Sequence, residues 1–220
     1  IASMPYFRGH ITDIGGPSAN MYGARCRRNW RCLRESCLFP KRCPNLEINA
    51  GHWLDAMDAA ARVKGVKRVT VGSGVRFDLF DDTAAIERLV NDHVSGQLKI
   101  APEHTAPGTL RAMRKAPVRP LAEFVRRFNE ASARAGKRQY LIPYLMSCHP
   151  GSSSADMKRM RGDIGALFRF MPQQVQAFIP LPMTISSVIY HTGVDPLTGE
   201  EFFVERTPAG RRRQHAVFSG

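Results

Sequence analysis

The stretch 121–151, LAEFVRRFNEASARAGKRQYLIPYLMSCHPG, carries the reading on which the fold turns. Its first half puts Leu121, Phe124, Val125, Phe128 and Ala135 at helical spacing, with Pro120 at the expected first helical position. The apolar run Gln139–Leu145 then reads as a strand, closed by Ser147, Cys148, His149, Pro150 and Gly151. A helix followed by a strand that stops in a polar Pro–Gly turn is one unit of an α/β chain.

The same unit recurs on both sides. Strands are expected at Gly9–Ile14, Lys67–Val71, Gln97–Ala101 and Val175–Ile179. Helices are expected at Trp53–Val63, at Ala84–His93 with Asp82 or Thr83 as cap, and at Ser154–Phe170. The last has Met157, Met160, Ile164, Leu167 and Phe168 as its buried stripe. Strands alternating with helices predict parallel pairing in sequential order, because right-handed crossovers return each strand beside the last. Five units in 220 residues suit a partial (β/α) barrel, with a doubly wound open sheet as the alternative. The exception is 17–49, with three Pro and four Cys and no period, which reads as an irregular loop inserted after the first strand.

In parallel α/β folds, ligand sites collect at the C-terminal ends of the strands. Here those ends carry Asp13-Ile-Gly15-Gly16-Pro17, Gly72-Ser73-Gly74-Val75-Arg76, Pro102-Glu103-His104, Ser147 to Gly151, and Pro180-Leu-Pro-Met183. Each piece also has an ordinary reading. Gly15 and Gly16 suit a plain turn, Glu103 and His104 a loop ion pair, and Arg76 a partner for Asp78. His149 suits a bond to its own turn, and Met183 a core position. Five such ends together favour a shared pocket.

The chain carries 32 Lys and Arg against 19 Asp and Glu, a formal net charge of +13. Seven of those cations (Arg25, Arg27, Arg28, Arg31, Arg34, Lys41, Arg42) lie in Ala24–Cys43, opposed only by Glu35. A basic cluster of this kind suits a polyanion such as RNA, although only Trp30 and Phe39 are at hand for base stacking. The run Arg211-Arg212-Arg213 reads as a solvated tail. No run approaches the roughly 18 apolar residues of a membrane span. Five cysteines, an odd number, and no secretory leader lead to the expectation of reduced thiols in a cytoplasm. Four of them, Cys26, Cys32, Cys37 and Cys43, are spaced x5, x4 and x5 and lack the Cys-x2-Cys pairs typical of zinc ribbons. Four thiolates in a long loop would suit zinc or an iron–sulfur cluster as an internal staple.

DIGGPSANMYG at 13–23, SCLFPKRCPNL at 36–46, HVSGQLKIAPEH at 93–104, GKRQYLIPYLMSCHPG at 136–151 and QVQAFIPLPMT at 174–184 together resemble the YgiQ family of radical SAM proteins. The resemblance runs in order over nearly the whole chain. It implies a partial barrel of six strands in which a Cys-x3-Cys-x2-Cys motif holds a 4Fe-4S cluster. S-adenosylmethionine on that cluster would be cleaved to a 5′-deoxyadenosyl radical. No Cys-x3-Cys-x2-Cys occurs in these 220 residues. The expectation is therefore strands two to six of the barrel, with the cluster-bearing strand upstream and the chain inactive alone. By position, the resemblance assigns Gly15, Gly16 and Pro17 to the methionine amino group, and Ser73 and Arg76 to its carboxylate or the ribose. It assigns Glu103 and His104 to the ribose, His149, Pro150 and Gly151 to the adenine, and Met183 to the cavity wall. It leaves the substrate unnamed. A third class, acid–base catalysis by Glu103, His104 and His149, lacks a recognisable spacing.

Overall fold

A computed structural model describes residues 1–16, 18–28, 32–168, 170–172 and 175–218. Pro17, Trp30 and Arg31, singled out above, lie outside the described residues. In chain order the elements are β1 (His10–Ile11), β2 (Arg25–Cys26), β3 (Leu46–Glu47), α1 (Ala50–Ala61), β4 (Arg68–Val69), α2 (Thr83–Arg88) and β5 (Gln97–Glu103). There follow α3 (Pro107–Ala112), α4 (Val118–Arg134), β6 (Tyr140–Ser147), α5 (Ser154–Phe168), β7 (Val175–Ala177), α6 (Ile185–Thr192) and α7 (Pro208–Ala216). All five expected strands are present, as β1, β4, β5, β6 and β7. β1 pairs in parallel with β4, and β6 with β7 in the register Leu145↔Val175. β5, β6 and β7 are neighbours in that order, and a parallel bridge joins Val75 to Ile100. The sequential order of a mixed α/β chain thus holds, but the described strands close no barrel.

The chain divides into two compact units. The first comprises Ile1–Cys37, Arg42–Ala101 and Pro120–Ile142. In it, α1 starts where the Asn49 side chain accepts the Gly51 N–H at 2.8 Å, and it buries Trp53, Leu54 and Met57 on one stripe. The Trp53 indole N–H donates to Ile14 O at 3.1 Å, which ties the helix to the chain leaving β1. Asp82 caps α2 through the Ala84 N–H, and Leu89–His93 continues it as a π-type turn. α4 buries Leu121, Phe124, Val125 and Phe128 as its spacing predicts. It begins two residues earlier than expected, so Pro120 is its third residue. That position is tolerated because N–H groups of the first turn have no intrahelical acceptor. The loop 17–49 is not wholly irregular: β2 and β3 form an antiparallel ribbon pairing Arg25 with Glu47 and Cys26 with Leu46.

His93 is the polar joint of this unit. Its ring is 1% exposed, with Nδ1 3.1 Å from Val69 O and Nε2 2.9 Å from Asp58 Oδ1. Arg88 binds the same Asp58 carboxylate through Nε at 3.0 Å. Replacing His93 by Leu leaves the Asp58 carboxylate and the Val69 carbonyl without this partner. A loss of about 2–3 kcal/mol is expected by urea unfolding. A variant as stable as the parent would show that the joint is held by packing alone.

The second unit comprises Leu38–Lys41, Pro102–Arg119 and Pro143–Gly220. α5 buries Met157, Met160, Ile164 and Phe168, as its periodicity predicts. α6 is capped by Thr184 and ends at Gly193 in the left-handed region (φ 82°). α7 is capped by Thr207, whose side chain accepts the Gly210 N–H at 3.0 Å, with Pro208 at its first position. The Arg211–Arg213 run is therefore helical rather than a tail. Arg212 and Arg213 are exposed, but Arg211 donates to Phe178 O at 2.9 Å and lies 5.9 Å from the Tyr190 ring centre.

Candidate functional site

In the first unit, the ends of β1 and β4 are joined by Asp13. Its carboxylate accepts the Gly72 N–H at 3.1 Å and the Ser73 hydroxyl. Burial pushes the Asp13 carboxyl up. The bonds from Ser73, Gly72 and Ile14 outweigh it and hold the group below the usual carboxylate range. Gly72 is required by this approach, since a Cβ there would come 2.7 Å from Thr12 O. The next turn is asymmetric. Gly15 has φ 108°, and a Cβ on it would lie 2.6 Å from Ala19 Cβ. At Gly16 the same position has no atom within 4 Å among the described residues beyond its chain neighbours. Buried Asn20 then clamps the turn to Arg76, accepting its N–H at 3.0 Å and donating to its carbonyl at 2.8 Å. The Arg76 guanidinium meets Asp78 at 2.6 Å, and its buried Nε has no partner among the described residues.

In the second unit, Glu103 and His104 do not pair with each other. Glu103 sits at φ 62° and binds Lys115 at 2.8 Å. His104 is 1% exposed. Its Nδ1 accepts the N–H groups of Thr105 and Ala106, both at 3.0 Å, so Nε2 carries the proton and donates to Ser152 Oγ at 3.2 Å. Burial lowers its pKa to about 4. His149 is also buried. It donates from Nδ1 to Pro150 O and accepts the Ser186 hydroxyl at Nε2, each at 2.9 Å, and burial again lowers its pKa to about 4. All four ring nitrogens thus have protein partners. As placed here, both rings make structural bonds within the unit. Gly151 has φ 79°, and a Cβ on it would lie 3.1 Å from Phe202, so its role is close packing. Met183 is fully exposed at φ 64°.

The thiols are not gathered. Cys26 lies in β2, Cys26, Cys32 and Cys37 are exposed, and Cys43 is buried. The Cys43 N–H donates to Cys37 O at 2.7 Å, so the backbones of these two meet. Among the described residues, no three His, Cys, Asp or Glu side chains are placed to hold a metal. The four cysteines as placed do not fit a four-thiolate centre. Two of the nearby cations serve carboxylates instead: Arg27 binds Glu47, and Arg42 binds Asp81.

The sequence has recognisable relatives. UPF0313 proteins of Fusobacterium nucleatum, Methanosarcina mazei and Geobacter sulfurreducens are 36%, 40% and 43% identical to it, each over 99% of this chain. The chain belongs to the YgiQ family, the UPF0313 proteins. It spans 40%, 35% and 36% of the length of those three relatives. Residues 173–219 match a domain of unknown function, DUF3362, which is a C-terminal domain of YgiQ proteins. That match covers α6 and α7. No described helix of this YgiQ-family chain is long and apolar enough to cross a membrane.

Three residues that organise the strand ends went unassigned in the sequence: Asp13, Asn20 and Gln214. Asp13 and Asn20 both stand in DIGGPSANMYG, where an acid at a strand end and an amide after a Gly-rich turn were available signals. Gln214, fully buried in α7, had none, since it sits beside three arginines.

Proposed function

We propose that this YgiQ-family chain is the S-adenosylmethionine-binding part of a radical SAM enzyme, with Gly16 and Arg76 at the cofactor. The observation that supports this reading is the turn after β1. It is packed on one side, Gly15 against Ala19, and clamped by Asn20 to Arg76, yet a Cβ on Gly16 would meet no other described residue beyond its chain neighbours. An open glycine backbone lets a ligand's amino or carboxylate group approach closely. The unpartnered Nε of Arg76 supplies a donor for a carboxylate. Ser73 holds Asp13 and acts by fixing the strand ends. When bound to a reduced iron–sulfur cluster, S-adenosylmethionine supplies a carbon-centred radical for hydrogen abstraction. The chain has no Cys-x3-Cys-x2-Cys, so none of its residues is assigned to that cluster.

The test is equilibrium dialysis of labelled S-adenosylmethionine against the full-length protein and its Gly16→Asp variant. A carboxylate at this turn repels the cofactor carboxylate and blocks the backbone, so affinity should fall more than about tenfold. The melting temperature should not move, because a Cβ at Gly16 meets no described residue beyond its chain neighbours. Unchanged affinity would remove the Gly16 assignment. Gly15 is unsuitable for the same test, since its φ and its contact with Ala19 make any side chain a folding defect.

A further inference from the structure

The ribbon β2–β3 and the first turn of α1 enclose an open cleft of about 460 Å3 that the strand-end reading does not use. Its walls carry Arg25, Arg27 and Arg42 against one carboxylate, Glu47, with Asn49 and His52 contributed by the start of α1. We infer that this cleft binds phosphate groups of a nucleic-acid backbone. Arg25 lies in β2 and Arg27 just beyond it, where its N–H donates to Asn45 O at 2.9 Å, and both line the cleft. Glu47 lies across from Arg25 in the register but takes Arg27, Nε to Oε1 at 2.7 Å. Arg25 is left with no ion pair among the described residues. Arg42 is held by Asp81, outside the cleft walls, and by Ile48 O. The helix contributes the partial positive charge of its N-terminal turn. Gly23 brings its backbone against His52, where a Cβ would lie 3.1 Å from Nδ1, and this fixes the imidazole in the wall.

A polymer rather than a lone phosphate is favoured by how the charge continues. Exposed Arg28 follows Arg27 directly, and the chain as a whole carries +13. Glu47 is bonded to Arg27 and acts on Arg25 only through its charge, so an anion at Arg25 does not have to break an ion pair among the described residues first. This inference does not depend on S-adenosylmethionine binding.

The probes are fluorescein-labelled single-stranded RNA and DNA oligonucleotides, titrated against full-length protein over a salt series, with inorganic phosphate as a separate ligand. Arg25→Gln should weaken oligonucleotide binding several-fold and reduce the salt slope by about 0.7, the loss of one phosphate contact. Arg212→Gln, an equally exposed cation on α7, should change neither. RNA and DNA arms that differ would show which backbone the cleft prefers, and either supports the inference. Equal losses in the two variants would mean attraction by net charge alone and would overturn it. Saturable binding of inorganic phosphate without oligonucleotide binding would overturn the polymer assignment, and no binding of either would overturn the site.

Discussion

Acidification from pH 6.5 to about 4 is expected to cost this protein about 3 kcal/mol of stability for each of two histidines, His104 and His149. Burial is the first cause in both. For His104, the charges of Asp156 and Asp163 oppose it and that of His149 adds to it. The hydrogen bonds make the same point. Nδ1 of His104 accepts two backbone N–H groups, so a proton placed there would face two donors. Above 6.5 the rings are neutral in both states. Between 6.5 and about 4 the unfolded chain takes up protons that the folded chain refuses, so stability falls with pH. Below about 4 both states are protonated and these rings cause no further loss. Asp13 and Asp58, held below the usual carboxylate range, give way at still lower pH. Urea unfolding across the window measures the slope. His104→Asn keeps a side-chain oxygen for the two N–H groups but cannot titrate, so its profile should be flatter by about 3 kcal/mol over the window. Parallel profiles for parent and variant would show that His104 charges without penalty in the folded state.

The same histidines show where sequence reasoning stops. The strands were legible because each is a short apolar run closed by Gly, Pro or polar residues, and that pattern is local. The stripes of α4 and α5 were legible for the same reason. α3 and α6 escaped notice although Pro107 and Thr184 signal their starts, because helices this short bury too few residues to show a period. The β2–β3 ribbon was not legible, since its two-residue strands meet only through tertiary pairing. At the strand ends, the motif positions were readable but their partners were not. Glu103 stands next to His104 in sequence, yet its left-handed backbone turns it to Lys115, while His104 folds back on its own following N–H groups. The clustering of four cysteines in one long loop suggested a shared centre. Pairing of Cys26 in the ribbon and burial of Cys43 separate them. Proximity in sequence is a poor guide wherever a turn decides which way a side chain leaves the chain.

Gln214→Leu is the substitution expected to damage the second unit most. The Gln214 side chain accepts the Cys148 N–H at 3.0 Å and the Ser152 hydroxyl at 3.2 Å, and donates to Ser152 O at 2.7 Å. Through Ser152 Oγ it also completes the chain of bonds that starts at His104 Nε2. One α7 side chain thereby holds both ends of the turn that follows β6. Cys148 needs this support, because at φ 63° it occupies a region costly for a residue with a Cβ. Leucine matches the volume but offers no polar atom. It leaves an N–H, a hydroxyl and a carbonyl buried without this partner, at about 1–3 kcal/mol each and about 3–5 kcal/mol together once relaxation is allowed for. The urea midpoint should fall accordingly, and the Cys148 amide should exchange with solvent much faster. Arg212→Ala, two positions away and exposed, should stay within about 0.5 kcal/mol of the parent. If Gln214→Leu were equally mild and left Cys148 protected, apolar packing of α7 rather than this network would be what holds the turn, and His104 would owe its orientation to its own loop alone.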